Sequence, residues 1–409
     1  MLHLNSCLSR RKREIMRSKL ILGMILILLF VGLSKSILNT QPVRANEPVY
    51  IYIRADGSID PPAANITNLN NINYTFTDDN WASIVIERDN IVVDGASYIL
   101  HGTTNEAAIN LTGRSNVIIK NVEIWGTSNY CIYLNQSSNI TISWNSVGGT
   151  STPITLANSS NNIMFGNNVT NCGGCFWLKE NSNNNQIYEN KIYNYSYWAI
   201  DIGSNSNNTI FGNSISGGQI SDWGIVVGGF FNTICENNIT NVASDAGILL
   251  AGSNNSIYGN KIANNTYGVT ISWGANNTIY HNNFIDNNQQ VYSPLTPVYA
   301  NIWDDGYPSG GNYWNNYDGI DLLGGPYQNV TGRDGIGDIP YVVATNNTDR
   351  YPLMEPWPCQ ITPSSVGGVQ IPIDKLALVA PCIASAAIIV AVAVGSAYAG
   401  KRWLRKTIT

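Results

Sequence analysis

The sequence has little charge. Only 12% of its 409 residues are Asp, Glu, Lys or Arg, and the formal net charge is -5. Low charge combined with an ordinary apolar fraction argues against a disordered chain, and the negative net charge argues against nucleic acid as the partner. Histidine is scarce too, with three residues. His3 lies near the N-terminus, and His101 and His281 are far apart, so the histidines predict no cluster of soft-metal ligands.

Cysteine is sparse and unevenly placed. The sequence predicts no disulfide scaffold, because an odd number remains once Cys7 and Cys382, in the predicted membrane-directed segments, are set aside. Cys172-Gly173-Gly174-Cys175 has CxxC spacing, but no second pair of ligands accompanies it. A local disulfide or two free thiols is therefore favoured over a metal site. The five cysteines outside the membrane-directed segments are Cys131, Cys172, Cys175, Cys235 and Cys359.

One sequence unit recurs along the middle of the chain, with the pattern Asn-x-Ile-x-x-Asn-x-Ile, clearest at 255–262. A period of 22 to 24 residues is typical of a solenoid. The apolar residues alternate at period two, and Asn, Gly, Ser and Thr are too frequent for helices, so the sequence predicts an all-β solenoid. The second asparagine of each unit is Asn121, Asn145, Asn167, Asn190, Asn213, Asn237, Asn260 or Asn282.

Each coil is predicted to hold a strand at each Ile and a third strand with the pattern Gly-Ile-x-Leu. Stacking at about 4.8 Å places equivalent residues above one another. The second Asn is then predicted to adopt a left-handed bend and to bond the equivalent amide of the next coil. The x residue of the third strand and the residue after the first Ile are predicted to face outward. The latter forms a column of Phe165, Tyr188, Phe211, Cys235, Tyr258 and Tyr280.

Three stretches carry a resemblance to a known family: 83–95, the eight repeats, and 311–314 through 349–353. They resemble the parallel β-helix repeats of pectin-degrading enzymes and of carbohydrate-binding/sugar-hydrolase (CASH) domains, and most closely NosD-like surface proteins, many of them archaeal. The resemblance implies a right-handed parallel β-helix with terminal caps (the pectin-lyase-like fold). It is specific for the fold and not for any activity.

Both ends of the chain are predicted to meet a membrane. Residues 1–45 have a basic start, an apolar stretch and a small-residue site, as in a signal peptide or signal anchor. Residues 376–400 carry no charge and are long enough to span a bilayer, and 401–409 form a basic cytoplasmic tail. The solenoid is thus predicted to be extracellular on a single C-terminal anchor. Some of its roughly fifteen Asn-x-Ser/Thr sequons are expected to be glycosylated.

The other boundaries follow from breaks in the repeat. Residues 46–83 are predicted to cover the first coil, because an open solenoid end exposes unpaired backbone and apolar core. Residues 84–292 contain the β-helix repeats. Prolines and bulky rings in 293–358 predict a C-terminal cap, and 359–375 form a short linker rich in Pro and Gly.

The outward residues of the third strands predict a binding surface. Flat rings offer apolar faces to sugar C–H groups, and carboxylates accept hydrogen bonds from hydroxyls. The predicted ligands are therefore glycans or other components of the cell envelope. The alternative is an ordinary exterior on which the rings merely cover turns. The residues gathered on this face by their place in the coil are Tyr133, Trp177, Trp198, Trp223, Asp201, Asp222 and Asp245.

Two further functions stay open. Asp201, Asp222 and Asp245 are candidate catalytic residues of a glycoside hydrolase or lyase, because neighbouring carboxyls can act as acid and nucleophile. However, the Gly-His-Gly and Arg-Ile-Lys strings of polygalacturonases are absent, and no Arg lies between 117 and 290 to act as a lyase base. The resemblance to NosD also implies an accessory protein of a membrane complex, whose solenoid would bind protein.

Calcium is a candidate cofactor in the predicted C-terminal cap. Closely spaced oxygen ligands with intervening glycines suit this hard cation. Arg333 stands where another acidic ligand would be expected, so a tight Asp/Gly turn is the alternative. The candidate ligands are Asp318, Asp321, Asp334 and Asp338.

Overall fold

The computed structural model of the protein describes residues 50–102, 107–125, 129–218, 222–295 and 298–358. The predicted signal segment (1–45), linker (359–375), membrane helix (376–400) and basic tail (401–409) lie outside these ranges. The described ranges contain no helix that could span a membrane. The regular elements of this part of the chain are β-strands.

The strands follow one another at short intervals and repeat in groups of three per coil. The first half contains β1 (Tyr50–Ile53), β2 (Ile59–Asp60), β3 (Ile66–Leu69), β4 (Asn73–Phe76), β5 (Ser83–Ile86), β6 (Ile91–Asp94), β7 (Ile99–Leu100), β8 (Ala107–Asn110), β9 (Val117–Lys120), β10 (Glu123–Trp125), β11 (Tyr130–Asn135), β12 (Thr141–Ser143), β13 (Ser146–Gly148), β14 (Ile154–Ala157), β15 (Ile163–Phe165), β16 (Asn168–Lys179), β17 (Gln186–Tyr188) and β18 (Lys191–Asp201). The second half contains β19 (Thr209–Phe211), β20 (Ser214–Gly218), β21 (Trp223–Val227), β22 (Thr233–Cys235), β23 (Asn238–Thr240), β24 (Ala246–Leu250), β25 (Ser256–Tyr258), β26 (Lys261–Ala263), β27 (Tyr267–Ile271), β28 (Thr278–Tyr280), β29 (Asn283–Ile285), β30 (Gln289–Tyr292), β31 (Tyr313–Trp314), β32 (Leu323–Gly324), β33 (Val330–Thr331), β34 (Tyr341–Ala344) and β35 (Asn347–Asp349).

Equivalent strands of successive coils pair in parallel, which confirms the predicted β-solenoid. One sheet runs from the β3–β4 hairpin to β28 and carries the first Ile of each repeat. The larger sheet contains two stacks of strands, one through the second Ile and one through the Gly-Ile-x-Leu positions. In two adjacent coils these stacks merge, because β16 and β18 run on for 12 and 11 residues.

The predicted inner column is present. Ile187, Ile210, Ile234 and Ile257 follow one another in register, and each is fully buried. Each buried aliphatic side chain contributes about 1.5–3 kcal/mol relative to an exposed one. The outer aromatic column is confirmed as well. The rings of Tyr188 and Phe211 lie 4.6 Å apart and nearly parallel, and Cys235 interrupts the column before Tyr258 and Tyr280.

The second asparagines turn inward and form a continuous hydrogen-bonded ladder, ladder B. Each side-chain N–H donates to the Oδ1 of the next coil's asparagine at 2.9–3.0 Å. The same Oδ1 accepts from a backbone N–H, so each buried amide is satisfied. The members of ladder B are Asn145, Asn167, Asn190, Asn213, Asn237, Asn260, Asn282 and Asn312.

The predicted position of the left-handed bend was wrong for most coils. Asn121 does have a φ of 54°, but elsewhere the bend falls one residue earlier, as at Glu189 (52°) and Glu236 (57°). The reason is geometric: the left-handed residue turns the chain, and the next residue can then aim its side chain inward. Two further ladders start from asparagines that also follow left-handed residues. Ladder A runs Asn162, Asn185, Asn208, Asn232, Asn255, Asn277, Asn301 and Asn347, and ladder C contains Asn265 and Asn287.

The two ends of the solenoid are covered differently. At the start, β1 pairs in parallel with β5 and β4 pairs with β6, so the segment before residue 84 stacks directly on the repeats. At the other end, β31 pairs with β29, and Trp303 and Trp314 are buried over the last coil. Ladder B ends there at the buried Asp349, whose carboxylate accepts from the backbone N–H of Asn312 at 2.7 Å.

Candidate functional site

The predicted binding face lies where β16 and β18 merge the two stacks. Trp177 is in register with Asp201 on the adjacent coil, and Trp198 is in register with Trp223. The ring centroids of Trp177 and Trp198 are 5.8 Å apart. The structure therefore brings these four predicted residues together on three consecutive coils.

The rings form an angled pair rather than a flat platform. The planes of Trp177 and Trp198 are tilted by 55°, and both side chains are half-buried. Lys179 covers the Trp177 ring, with its ammonium 3.7 Å from the centroid. Tyr197 is 52% exposed and lies 5.9 Å from Trp198, so it is the most accessible ring of the group.

A glycine and a disulfide shape the floor of this site. The indole of Trp198 lies directly against Gly174, where any Cβ would collide with it. Gly174 lies between Cys172 and Cys175. These two cysteines form a disulfide, which is the first of the two predicted alternatives. The register between β16 and β18 shifts between Cys172 and Gly174. This irregularity gives Trp198 room that a regular coil would not offer.

The three candidate carboxylates have different surroundings. Asp201 accepts from the backbone N–H of Gly203 at 2.7 Å, and burial raises its pKa. Asp222 is fully buried and accepts from the backbone N–H of Ser244 at 2.9 Å. Asp245 is half-buried, and its carboxylate accepts a hydrogen bond from the Trp223 indole N–H. Burial raises the pKa of Asp245, and the nearby charge of Asp222 raises it further.

Three buried polar atoms in this region have no hydrogen-bond partner among the described residues: Asp222 Oδ2, Tyr195 OH and Trp198 Nε1. Leaving such an atom unpaired costs roughly 1–3 kcal/mol. Tyr195 and Asp222 interact electrostatically, since the Asp222 charge raises the pKa of the tyrosine that burial has already raised. These three atoms belong to residues of the same region of the solenoid, so unpaired polar groups accompany the predicted binding face.

Some predicted residues do not join the site. Tyr133 stacks on Tyr130 at 5.0 Å and is separated from Trp177 in the column by Thr155. Two of the x residues that were predicted to face outward are nevertheless buried: Thr155 and Thr270 are 0% and 6% exposed and lie in register between larger residues of the adjacent coils. Sequence reasoning missed Tyr197 and Lys179. Tyr197 could have been found from the alternation of tyrosines at every second residue of β18. Of these, Tyr193 and Tyr197 are exposed and Tyr195 is buried.

The predicted calcium ligands are used as turn acceptors. Asp321 accepts from the backbone N–H groups of Asp334 and Gly335, and Asp338 accepts from those of Leu322 and Leu323. Asp334 accepts from Gly325 and Ile336, and Asp318 is exposed. Across the described ranges, no three His, Cys, Asp or Glu side chains are placed to hold a metal ion. This geometry is that of the Asp/Gly turn; calcium stays a prediction.

The model of one protein family, described as periplasmic copper-binding protein (NosD), matches residues 53–204 and 196–319. The matches cover more than half of the sequence. The chain belongs to this family. No curated protein matches it.

The family description names copper, but the described part of the chain contains no set of residues that is arranged to bind this metal. Cys172 and Cys175 are joined to each other, and Cys131 is buried in the core. His101 stacks on Trp81 at 3.7 Å, and His281 stacks on Trp357 and contacts the Ser309 carbonyl at 2.9 Å. Copper sites need several soft or imidazole ligands at one point, and these residues are spread over separate coils.

Solved structures with similar coil stacking include carbohydrate-active enzymes. A variant of the periplasmic alginate epimerase AlgG is 13% identical, with a TM-score of 0.39, 61% of this chain and 72% of that one covered. An alginate lyase from Paenibacillus sp. str. FPU-7 is 14% identical, with a TM-score of 0.41 and coverage of 54% and 91%. The A-module of the Azotobacter vinelandii mannuronan C-5 epimerase AlgE6 is 14% identical, with a TM-score of 0.34 and coverage of 58% and 83%.

Proposed function

We propose that the protein is an exported, right-handed β-helix that binds carbohydrate on the face formed by Trp177, Trp198, Tyr197 and Trp223. The observation that carries this proposal is the contact of Trp177 and Trp198 beside Asp201 on the adjacent coil. Angled rings can hold the apolar face and edge of a sugar, while the carboxylate accepts from its hydroxyls. The ammonium of Lys179, which lies over the Trp177 ring, offers a hydrogen-bond donor beside this face.

The proposed localisation on the outside of the cell membrane rests on the two ends of the sequence. The apolar stretch at 20–33 suits export, and the uncharged stretch at 376–400 followed by basic residues suits a C-terminal anchor with the solenoid outside. An anchored solenoid would present its aromatic face to glycans of the envelope or the surroundings. Glycosylation of exposed sequons belongs to the same proposal.

A glycan array with the full chain tests the function. Wild type is expected to bind one or more glycans, and the Trp177→Ala/Trp198→Ala double variant is expected to lose them. The matched control is Trp144→Ala/Trp273→Ala, which removes two rings that are 59% and 63% exposed at other corners. Equal binding by wild type and the Trp177/Trp198 variant would refute the aromatic face. No binding at all would favour a protein partner on the solenoid.

A carbohydrate-active enzyme is the second candidate. Its supporting observation is the half-buried Asp245, whose raised pKa and buried neighbour Asp222 suit a proton donor. If this is correct, Asp245→Asn abolishes turnover of a bound glycan and leaves its affinity unchanged. If mass spectrometry shows that the glycan is unchanged after prolonged incubation with the wild-type protein, binding alone would be the function.

A further inference from the structure

We propose that a cleft at the C-terminal end of the solenoid is a second binding site, which takes a neutral, polyhydroxylated ligand such as a hexose oligomer. The cleft has a volume of about 560 Å³. This lies in the range of roughly 300–1,000 Å³ that is usual for small-ligand sites. It is separate from the aromatic face and does not depend on that proposal. Its walls are Asp286, Asn287, Asn288, Gln289, Gln290, Val291, Asn315, Asn316, Tyr341 and Val343.

The cleft lies where one asparagine ladder reaches the cap. The cap closes ladder A at Asn347, whose Oδ1 accepts from the Trp303 indole at 2.9 Å. It closes ladder B at Asp349, which accepts from the Trp314 indole at 2.8 Å. Ladder C ends at Asn287, where no indole of the described residues plays the corresponding part. Asn287 instead donates to the side chain of Gln290, and both residues line the cleft.

A relay of side-chain bonds continues ladder C along the cleft wall. Asn287 donates to Gln290 at 2.8 Å, and Gln290 donates to Asn315 at 2.7 Å. Asn315 in turn donates to Asp286 at 2.6 Å. This relay fixes the amides before any ligand arrives, which lowers the entropic cost of binding.

The lining residues from the cap supply an oriented ring. Tyr341 stacks on the buried Trp314 with centroids 4.4 Å apart. Its hydroxyl exchanges hydrogen bonds with the exposed Asn316, at 3.1 and 3.2 Å. Val291 and Val343 add small apolar surfaces. The wall thus combines a rigid ring and aliphatic patches with polar tips, as a sugar ring requires.

The chemistry of the lining selects the class of ligand. Side-chain amides donate and accept, as hydroxyl groups do. The lining residues include one carboxylate, Asp286, and no Lys, Arg or His. A uronic acid oligomer would bring further negative charge without a cation to pair it, so a neutral oligomer is favoured over an acidic one.

Titration of the full chain with maltohexaose, cellohexaose and hexagalacturonate, followed by saturation-transfer NMR and calorimetry, tests this site. We expect a neutral hexamer to bind and hexagalacturonate to bind at least tenfold more weakly. Asn288→Ala/Asn316→Ala should weaken the neutral ligand by more than tenfold, about 1.4 kcal/mol or more. Both side chains are exposed, so the fold should persist, which circular dichroism verifies.

The control variants separate this site from the aromatic face. Asn329→Ala, an exposed amide outside the cleft, and Trp177→Ala/Trp198→Ala should both keep the neutral ligand bound. The proposal is overturned if neither neutral hexamer binds, if the Asn288/Asn316 variant binds as wild type, or if hexagalacturonate binds equally well. Loss of binding only in the Trp177/Trp198 variant would overturn it too, and would support the aromatic face alone.

Discussion

Removing one rung of ladder B should destabilise the solenoid far more than its size suggests. Asn213 is fully buried, and its Oδ1 accepts both the backbone and the side-chain N–H of Asn190 at 3.0 Å. Its own N–H groups donate to the carbonyl of Ile187 at 2.8 Å and to Asn237 at 2.9 Å. Asn213→Ala leaves two donors and one carbonyl unpaired in the interior, where water does not replace the amide.

Each of the three unpaired buried groups costs about 1–3 kcal/mol, so we expect the free energy of unfolding to fall by at least about 3 kcal/mol. Urea denaturation followed by far-UV circular dichroism measures this loss as a lower midpoint. Ser214→Ala, at the exposed neighbouring position, is the control and should change the free energy by less than about 0.5 kcal/mol. A loss below about 1 kcal/mol for Asn213→Ala would refute the reasoning that the ladder holds the coils together.

Three further predictions address other parts of the chain. Burial raises the pKa of Asp349 from 3.8 to about 7, so the protonated carboxyl stabilises the folded state at low pH, and this stabilisation is lost as the pH rises from about 4 to 7. Asp349→Asn should therefore flatten the dependence of the thermal midpoint on pH over that interval. An unchanged slope would show that another group causes the dependence. Phe211→Ala should lower the free energy of unfolding, measured by urea denaturation, by about 1 kcal/mol, because it removes the ring that stacks on Tyr188. An unchanged free energy would show that the aromatic column does not stabilise the fold. Burial raises the pKa of the Cys131 thiol to about 12, so iodoacetamide should label this thiol only in denaturant. Peptide mass spectrometry measures the labelling, and rapid labelling of the native protein would contradict the burial of Cys131.

The repeat made the fold predictable, since a fixed spacing of Asn and Ile determines which residues stack. The spacing of the repeats alone therefore predicts that Trp177 stacks beside Asp201 and Trp198 beside Trp223, and the strand register agrees. The bend was misplaced because the repeat pattern contains the recurring inward asparagine, whereas the residue before it, which turns the chain, differs from coil to coil. Burial of Thr155 depended on the size of its neighbours in other coils, which the alternation within one strand does not report.

Features outside the repeat were less predictable. The angle between the Trp177 and Trp198 rings depends on the shift in register around Gly174, which no periodic pattern contains. The cleft joins residues 286–291 to Tyr341 across the aperiodic cap, so its walls are far apart in sequence. In the cap, the sequence indicated bulky covering rings, but it did not indicate that indoles would close ladders A and B while side chains of the cleft wall continue ladder C.

A crystal structure of the full chain with the tightest array-positive oligosaccharide tests the central claim most directly. The account predicts density for a sugar ring packed against Trp177 and Trp198, with a hydroxyl within hydrogen-bond distance of Asp201. Density confined to the C-terminal cleft, or located on any other surface, would contradict the assignment of carbohydrate binding to the aromatic face.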